Sequence, residues 1–181
     1  SVDLDKHITL IVGKNGAGKT ALLDAVAVSI SSFLLGIDGA VSRSILKDDA
    51  RYEFHDLNGT IDPQHQFPVS IESEGDCLGE QDKQWLRSLN SENGKTTIKD
   101  ASQITGIAKK AQNRIMKGDK SLILPLISYY GTGRLYAQKK EKRNLQSLTE
   151  FKRQVGYVDC MAAESNEKLM LNWFQIQTMK S

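Results

Sequence analysis

Residues 13 to 20 read Gly13-Lys14-Asn15-Gly16-Ala17-Gly18-Lys19-Thr20, which fits the spacing G-x-x-x-x-G-K-S/T at every fixed position. The chemistry of that spacing is the capture of phosphate. Glycines at 13, 16 and 18 let the backbone turn so that successive N–H groups point into one concavity, and a helix starting there adds the positive end of its dipole. Lys19 is long enough to carry its ammonium to the outer phosphates of a nucleotide. The Thr20 hydroxyl is an oxygen ligand of the kind Mg²⁺ prefers. The candidate nucleotide-binding residues are therefore Asn15, Gly16, Ala17, Gly18, Lys19, Thr20 and Ala21, with ATP and Mg²⁺ as the implied ligands.

Such a loop works only between a strand that delivers it and a helix that receives it. The short apolar run Ile8-Thr9-Leu10-Ile11-Val12 predicts a buried strand leading into the loop. Leu22, Leu23, Val26, Ile30, Phe33 and Leu34 recur at three- and four-residue intervals, which predicts a helix from Lys19 to about Leu35, stopped by Gly36 and Gly39. Strands that carry phosphate loops are interior and parallel, and this one begins within eight residues of the start, so the chain reads as trimmed.

Farther along, residues 37 to 66 are polar and mixed, with Asn58-Gly59 as a turn signal. Alternation over Phe67 to Glu74 predicts a half-exposed antiparallel strand, with Tyr52-Glu53-Phe54 as a possible partner. Gln81 to Leu89 reads as a helix. A further helix is expected from about Ala101 to Lys117, with Asp100 as N-cap, Gly118 as stop, and Ile104, Ile107, Ala108, Ala111 and Ile115 on one face. Ser121 to Tyr130 is apolar enough for a second buried strand, although Pro125 argues for an edge or a bulge. Residues 137 to 147 are strongly polar. A last helix is expected from Ser165 to Thr178, with Leu169, Met170, Trp173 and Phe174 on one face.

Composition narrows the setting. With 24 basic and 22 acidic residues the net charge is +2, so a polyanionic partner has no support from the chain as a whole. Cys77 and Cys160 have neither metal spacing nor a CxxC pattern, which fits packing residues in a reduced, cytoplasmic protein. His7, His55 and His65 share no metal-ligand spacing. Apolar stretches are expected to be interrupted before bilayer length, so no membrane partner is expected.

Cleavage of ATP needs a carboxylate for Mg²⁺ and a group that positions water, usually delivered by four apolar residues followed by Asp-Glu. No such run is present. Val155-Gly156-Tyr157-Val158-Asp159 is too broken by Gly to replace it, so catalytic residues are not assigned.

Asn15 to Thr20, followed by Leu23-Asp24-Ala25, resembles the ABC-type ATPases of the SMC, RecF and OLD group. The stretch Leu124-Pro125-Leu126-Ile127-Ser128-Tyr129-Tyr130-Gly131-Thr132-Gly133-Arg134-Leu135, with Gly156-Tyr157-Val158-Asp159-Cys160 and Trp173-Phe174, looks like a bacterial family of ATP-binding proteins often labelled virulence-associated. Similar ATPases pair with HNH nucleases in Septu and retron anti-phage systems. The resemblance implies an α/β fold of the P-loop NTPase class, an ABC-ATPase-like lobe with a mixed sheet over 1–136. A basic loop and the start of a helical subdomain would follow over 137–181. It also implies a homodimer that sandwiches ATP, and a role in DNA sensing or nuclease control. The family's Leu-Ser-x-Gly signature, its Asp-Glu strand, its switch His and its initial Asn-Phe-Arg strand are not found here, which suggests an N-terminal fragment.

By the same resemblance, the loop after 121–130 occupies the place of a segment that senses Mg²⁺ and the γ-phosphate. Arg134 becomes a nucleotide-binding candidate and Gln138 a metal-ligand candidate; the alternative for each is an ordinary surface residue. Residues 139 to 153 hold six basic side chains against Glu141 and Glu150 and offer a possible contact to DNA, although a solvated loop is favoured because no stacking aromatics are interleaved. Two other function classes stay open. A small-molecule or nucleotide kinase would use the same loop but needs an Arg-rich lid, and a non-hydrolysing nucleotide-binding scaffold needs no catalytic acid.

Overall fold

The structure is a computed structural model, and it describes residues 1–57, 59–131 and 153–162 together with 171, 174, 175 and 178. Helix α1 spans Lys19–Ser31 and tightens into a 3₁₀ turn over Ser32–Gly36, matching the expected helix in extent. Two hairpins follow. In the first, β1 (Tyr52–Leu57) pairs antiparallel with β2 (Thr60–His65), and Gly59, with a φ of 86°, lies in the turn between them, while Asn58 lies outside the described residues. In the second, β3 (Val69–Cys77) pairs with β4 (Glu80–Leu89). Helix α2 covers Ser102–Met116 and stops at Gly118, whose φ of 88° only glycine adopts freely.

Several expectations are corrected. Tyr52-Glu53-Phe54 pairs with 63–65 and not with 67–74. Gln81 to Leu89 is a strand: Leu78 and Gly79 both take positive φ, 50° and 84°, as a tight two-residue hairpin turn demands, and the pairing with β3 overrides the local helical pattern. Asp100 does not cap α2. It lies inside a 3₁₀ turn over Lys99–Ala101 that provides the first hydrogen bond itself, from the Ala101 N–H to the Ile98 carbonyl at 3.0 Å.

The larger correction concerns the sheet. Neither 8–12 nor 121–130 joins a ladder among the described residues, where both sheets are two-stranded and antiparallel. Both segments are extended in sequence character yet carry apolar side chains into solvent. Ile8, Leu10 and Val12 are more than four-fifths exposed, at 83%, 82% and 81%. Leu126 is similarly outward, whereas Ile127 is buried. The expected interior strand and the mixed sheet are thus not formed by these residues.

The core is built mainly by helices. Phe33, Leu34 and Ile37 pack against Ala101, Ile104, Ile107 and Ala108 of the α2 region, and Ile127, Tyr157 and Met161 close the cluster. The contact is close because residue 36 is glycine: a Cβ there would lie 2.4 Å from the Thr105 carbonyl oxygen and 2.7 Å from the Ala108 Cβ. A second cluster joins Val28 and Ile45 to Leu89, with Phe67, Val69 and Ile71 over it. Helix α1 buries Ala27, Val28 and Ser31, while Leu23 and Ile30, assigned to its apolar stripe from spacing, face outward. Lys19–Gly36 does reach the length and apolarity of a membrane span, 18 residues at mean hydropathy 1.4, contrary to the interruption expected from sequence. Phe33 and Leu34 at its end are nonetheless held in the core against α2.

Of the last expected helix, residues 171, 174, 175 and 178 are helical, and Leu169, Met170 and Trp173 lie outside the described residues. The boundary set at 136/137 and the basic stretch up to Lys152 also lie outside them.

Candidate functional site

The loop 13–18 is exposed and enters α1 at Lys19. Gly16 and Gly18 hold φ near 80°, and a Cβ at either would meet open space, so backbone conformation rather than room requires glycine there. Gly18 is the N-cap residue of α1 and has no side chain to offer. The first turn contains no acidic residue, so its N–H groups face outward without a competing internal anion. Lys19 reaches back across the loop, and its Nζ donates to the carbonyls of Gly13 at 2.8 Å and Lys14 at 2.7 Å. An ammonium has three donors, and these two bonds hold it over the loop with one left for an acceptor above it. The groups present therefore fit a polyphosphate: glycine backbone, open helix donors and a positioned cation. Thr20, exposed on the first turn, is the hydroxyl available to Mg²⁺. A bound Mg²⁺ would neutralise charge on the outer phosphates.

Helix α1 carries a single carboxylate. Asp24 lies one helical turn beyond Thr20, on the same side of α1. Its Oδ1 accepts from Arg43 Nη2 at 2.9 Å and from the Tyr129 hydroxyl at 2.6 Å. The Arg43 guanidinium also stacks over the Tyr129 ring, 4.5 Å from its centroid. Burial and the bond to Asp24 push the Tyr129 hydroxyl pKa above its ordinary value, so it remains a donor at neutral pH. With a cation and a phenol on one oxygen, Asp24 is a structural anchor. No group of three metal-ligating side chains occurs among the described residues.

This anchor brings distant sequence together. Tyr129 is the penultimate residue of the 121–130 run, its N–H donates to the Cys160 carbonyl at 2.8 Å, and its ring lies over buried Gly131. Gly131 is thus fastened, through Tyr129 and Asp24, to the helix that starts at the phosphate loop. Arg134 and Gln138, the sensing candidates, lie outside the described residues. Sequence reasoning missed Arg43, 19 residues from Asp24 in an irregular stretch, and gave Tyr129 no role of its own, reading it within an apolar strand and a family-like stretch. Val155 to Asp159 falls in a 3₁₀ turn over Arg153–Tyr157 and its exit, not in a strand. Cys77 and Cys160 are free and half-buried against the main core, with both thiol pKa values raised by burial, in keeping with packing roles.

A scan against protein-family models matches the AAA domain over residues 1–175. The chain belongs to the AAA domain family. Comparison with curated proteins finds no match. Membership of the AAA domain family makes the chain a P-loop, nucleotide-binding ATPase domain in the broad sense. An α/β chain with small antiparallel hairpins beside a loop-and-helix phosphate cradle is compatible with that class.

Proposed function

We propose that the chain binds Mg·ATP through Asn15 to Ala21, with Lys19 on the outer phosphates and Thr20 on Mg²⁺, as the nucleotide-binding part of an ABC-type ATPase. The observation that carries this reading is the uncapped start of α1 beneath two left-handed glycines, with the Lys19 ammonium held over the same loop. In this reading the Asp24, Arg43 and Tyr129 anchor positions the segment that leads to Arg134, and Arg134 and Gln138 then sense the γ-phosphate and Mg²⁺. The resemblance of 124–135 and 156–160 supports the finer proposals of ATP-driven homodimerisation and of DNA sensing or control of an HNH-type nuclease, as in anti-phage defence.

Within the described residues this reads as a site that binds, because the one carboxylate of α1 is already engaged by Arg43 and Tyr129. Isothermal titration with Mg·ATP tests the assignment. Lys19→Ala should weaken binding by roughly 100-fold, the scale of losing a charge-assisted contact of about 3 kcal/mol. Equal affinity of the variant and the wild type would overturn it.

A further inference from the structure

The β3–β4 hairpin carries a charge that its surroundings do not balance. Arg87 is 1% exposed. Its Nε donates to the Thr97 carbonyl at 2.7 Å and its Nη1 to the Ser32 hydroxyl at 3.2 Å, both neutral acceptors. Among the described residues no carboxylate lies within ion-pair distance of it. Removing a cation from water without a counter-charge is costly, and burial pushes this guanidinium's pKa downward. A guanidinium has five N–H donors, and two are used here.

Arg87 lines a cavity of about 290 Å³ between residues 42–45 and 94–98. Ser42, Ser44, Lys95 and Thr96 share its wall. Thr96 Oγ1 ties the two sides together by accepting from the Ile45 N–H at 2.9 Å and donating to the Ile45 carbonyl at 3.3 Å. Both ionisable groups of the wall, Arg87 and Lys95, are cationic, and Ser42 and Ser44 add hydroxyl donors. None of the lining side chains is aromatic, so a nucleobase has nothing to stack on. The volume is small for a nucleotide and ample for a single oxyanion group.

We propose that this cavity binds a small oxyanion, inorganic phosphate first, between Arg87 and Lys95. The site is separate from the P-loop. Ser32, which Arg87 holds, is the C-cap of α1, and thirteen helical residues at about 1.5 Å each put the two ends roughly 20 Å apart. The proposal does not depend on the P-loop binding nucleotide.

The test uses the full chain carrying Lys19→Ala, which disables the P-loop as a competing phosphate site. Titration with inorganic phosphate, read by calorimetry and by the unfolding midpoint, should still show binding, and acetate should bind more weakly. Adding Lys95→Ala should weaken phosphate binding about 10-fold, and Ser44→Ala by a smaller factor, since charge-assisted hydrogen bonds are the stronger ones. Both side chains are exposed, so these variants should fold even if Arg87→Gln does not. Absence of phosphate binding in the Lys19→Ala chain, or equal binding with and without Lys95, would overturn the proposal.

Discussion

Gly131→Ala should loosen the link between the 121–131 segment and the P-loop helix. A Cβ at 131 would sit 2.8 Å from Cε1 and 3.0 Å from the hydroxyl oxygen of Tyr129, so the ring must retreat by roughly 0.6 Å to reach ordinary contact at 3.4 Å. A shift of that size directed along the bond stretches the 2.6 Å contact from Tyr129 to Asp24 to about 3.2 Å, beyond the usual range for an O–H···O bond. Hydrogen bonds to charged acceptors contribute about 1.5–3 kcal/mol. The Asp24 side chain is 22% exposed, which lowers the expected loss to about 1–2 kcal/mol. The reduced entropy of the unfolded chain in Gly→Ala opposes this by about 0.4–1 kcal/mol. Urea unfolding of wild type, Gly131→Ala, Tyr129→Ala and the double variant measures the coupling directly. Once the ring is gone, alanine at 131 should be neutral or slightly stabilising. A Gly131→Ala cost that is the same in both backgrounds, within about 0.3–0.5 kcal/mol, would refute the claim that Gly131 is glycine to seat Tyr129.

Three further outcomes are expected. Gly36→Ala should destabilise the chain by about 3 kcal/mol or more, because its Cβ meets backbone and a buried methyl on α2 that have no room to give; a loss below about 1 kcal/mol in the unfolding free energy would contradict this. Burial is the main cause that pushes the Tyr157 hydroxyl pKa up to about 12, against an ordinary value of 10.0. The folded state therefore keeps this proton where the unfolded state releases it, and the stability is fully present below pH 10 and declines between about pH 10 and 12. Tyr157→Phe should flatten that alkaline limb, at the expense of the bond to the Pro125 carbonyl, and an unchanged limb in pH-dependent unfolding would show that another group sets it. Finally, the 181-residue chain alone should turn over ATP at close to the background rate, and steady phosphate release abolished by Lys19→Ala would expose a catalytic carboxylate not identified here.

The parts that were legible from sequence are those where local rules and tertiary packing agree. The loop glycines, the 3.6-residue spacing of Ile104, Ile107, Ala108 and Ala111, the turn at Gly59 and the alternation of β3 each carry their conformation in a few neighbouring residues. Residues 81–89 misled because Leu86 and Leu89 suit a helix as well as a strand, and the decision rests with β3 across the Leu78-Gly79 turn. The buried face of α1 was misjudged for a related reason. Spacing shows that a helix is apolar on one side, but whether Leu23 or Val28 is covered depends on which elements arrive. In the site, the P-loop was readable since its chemistry is contiguous, whereas the Asp24, Arg43 and Tyr129 anchor spans more than a hundred residues and has no local signature.

The outward faces of Ile8, Leu10 and Val12, and of Ile123 and Leu126, bear on how the chain behaves as a material. Apolar side chains in water beside backbone donors and acceptors that join no ladder among the described residues are a template for strand addition from any neighbouring chain. The helical core can be intact and the solution still colloidally unstable, since association through these ribbons requires no unfolding. Salts such as sulfate, which strengthen the burial of apolar surface, act on this surface as well as on the core. The concentration the chain tolerates then depends on what covers these outward faces as well as on its melting temperature.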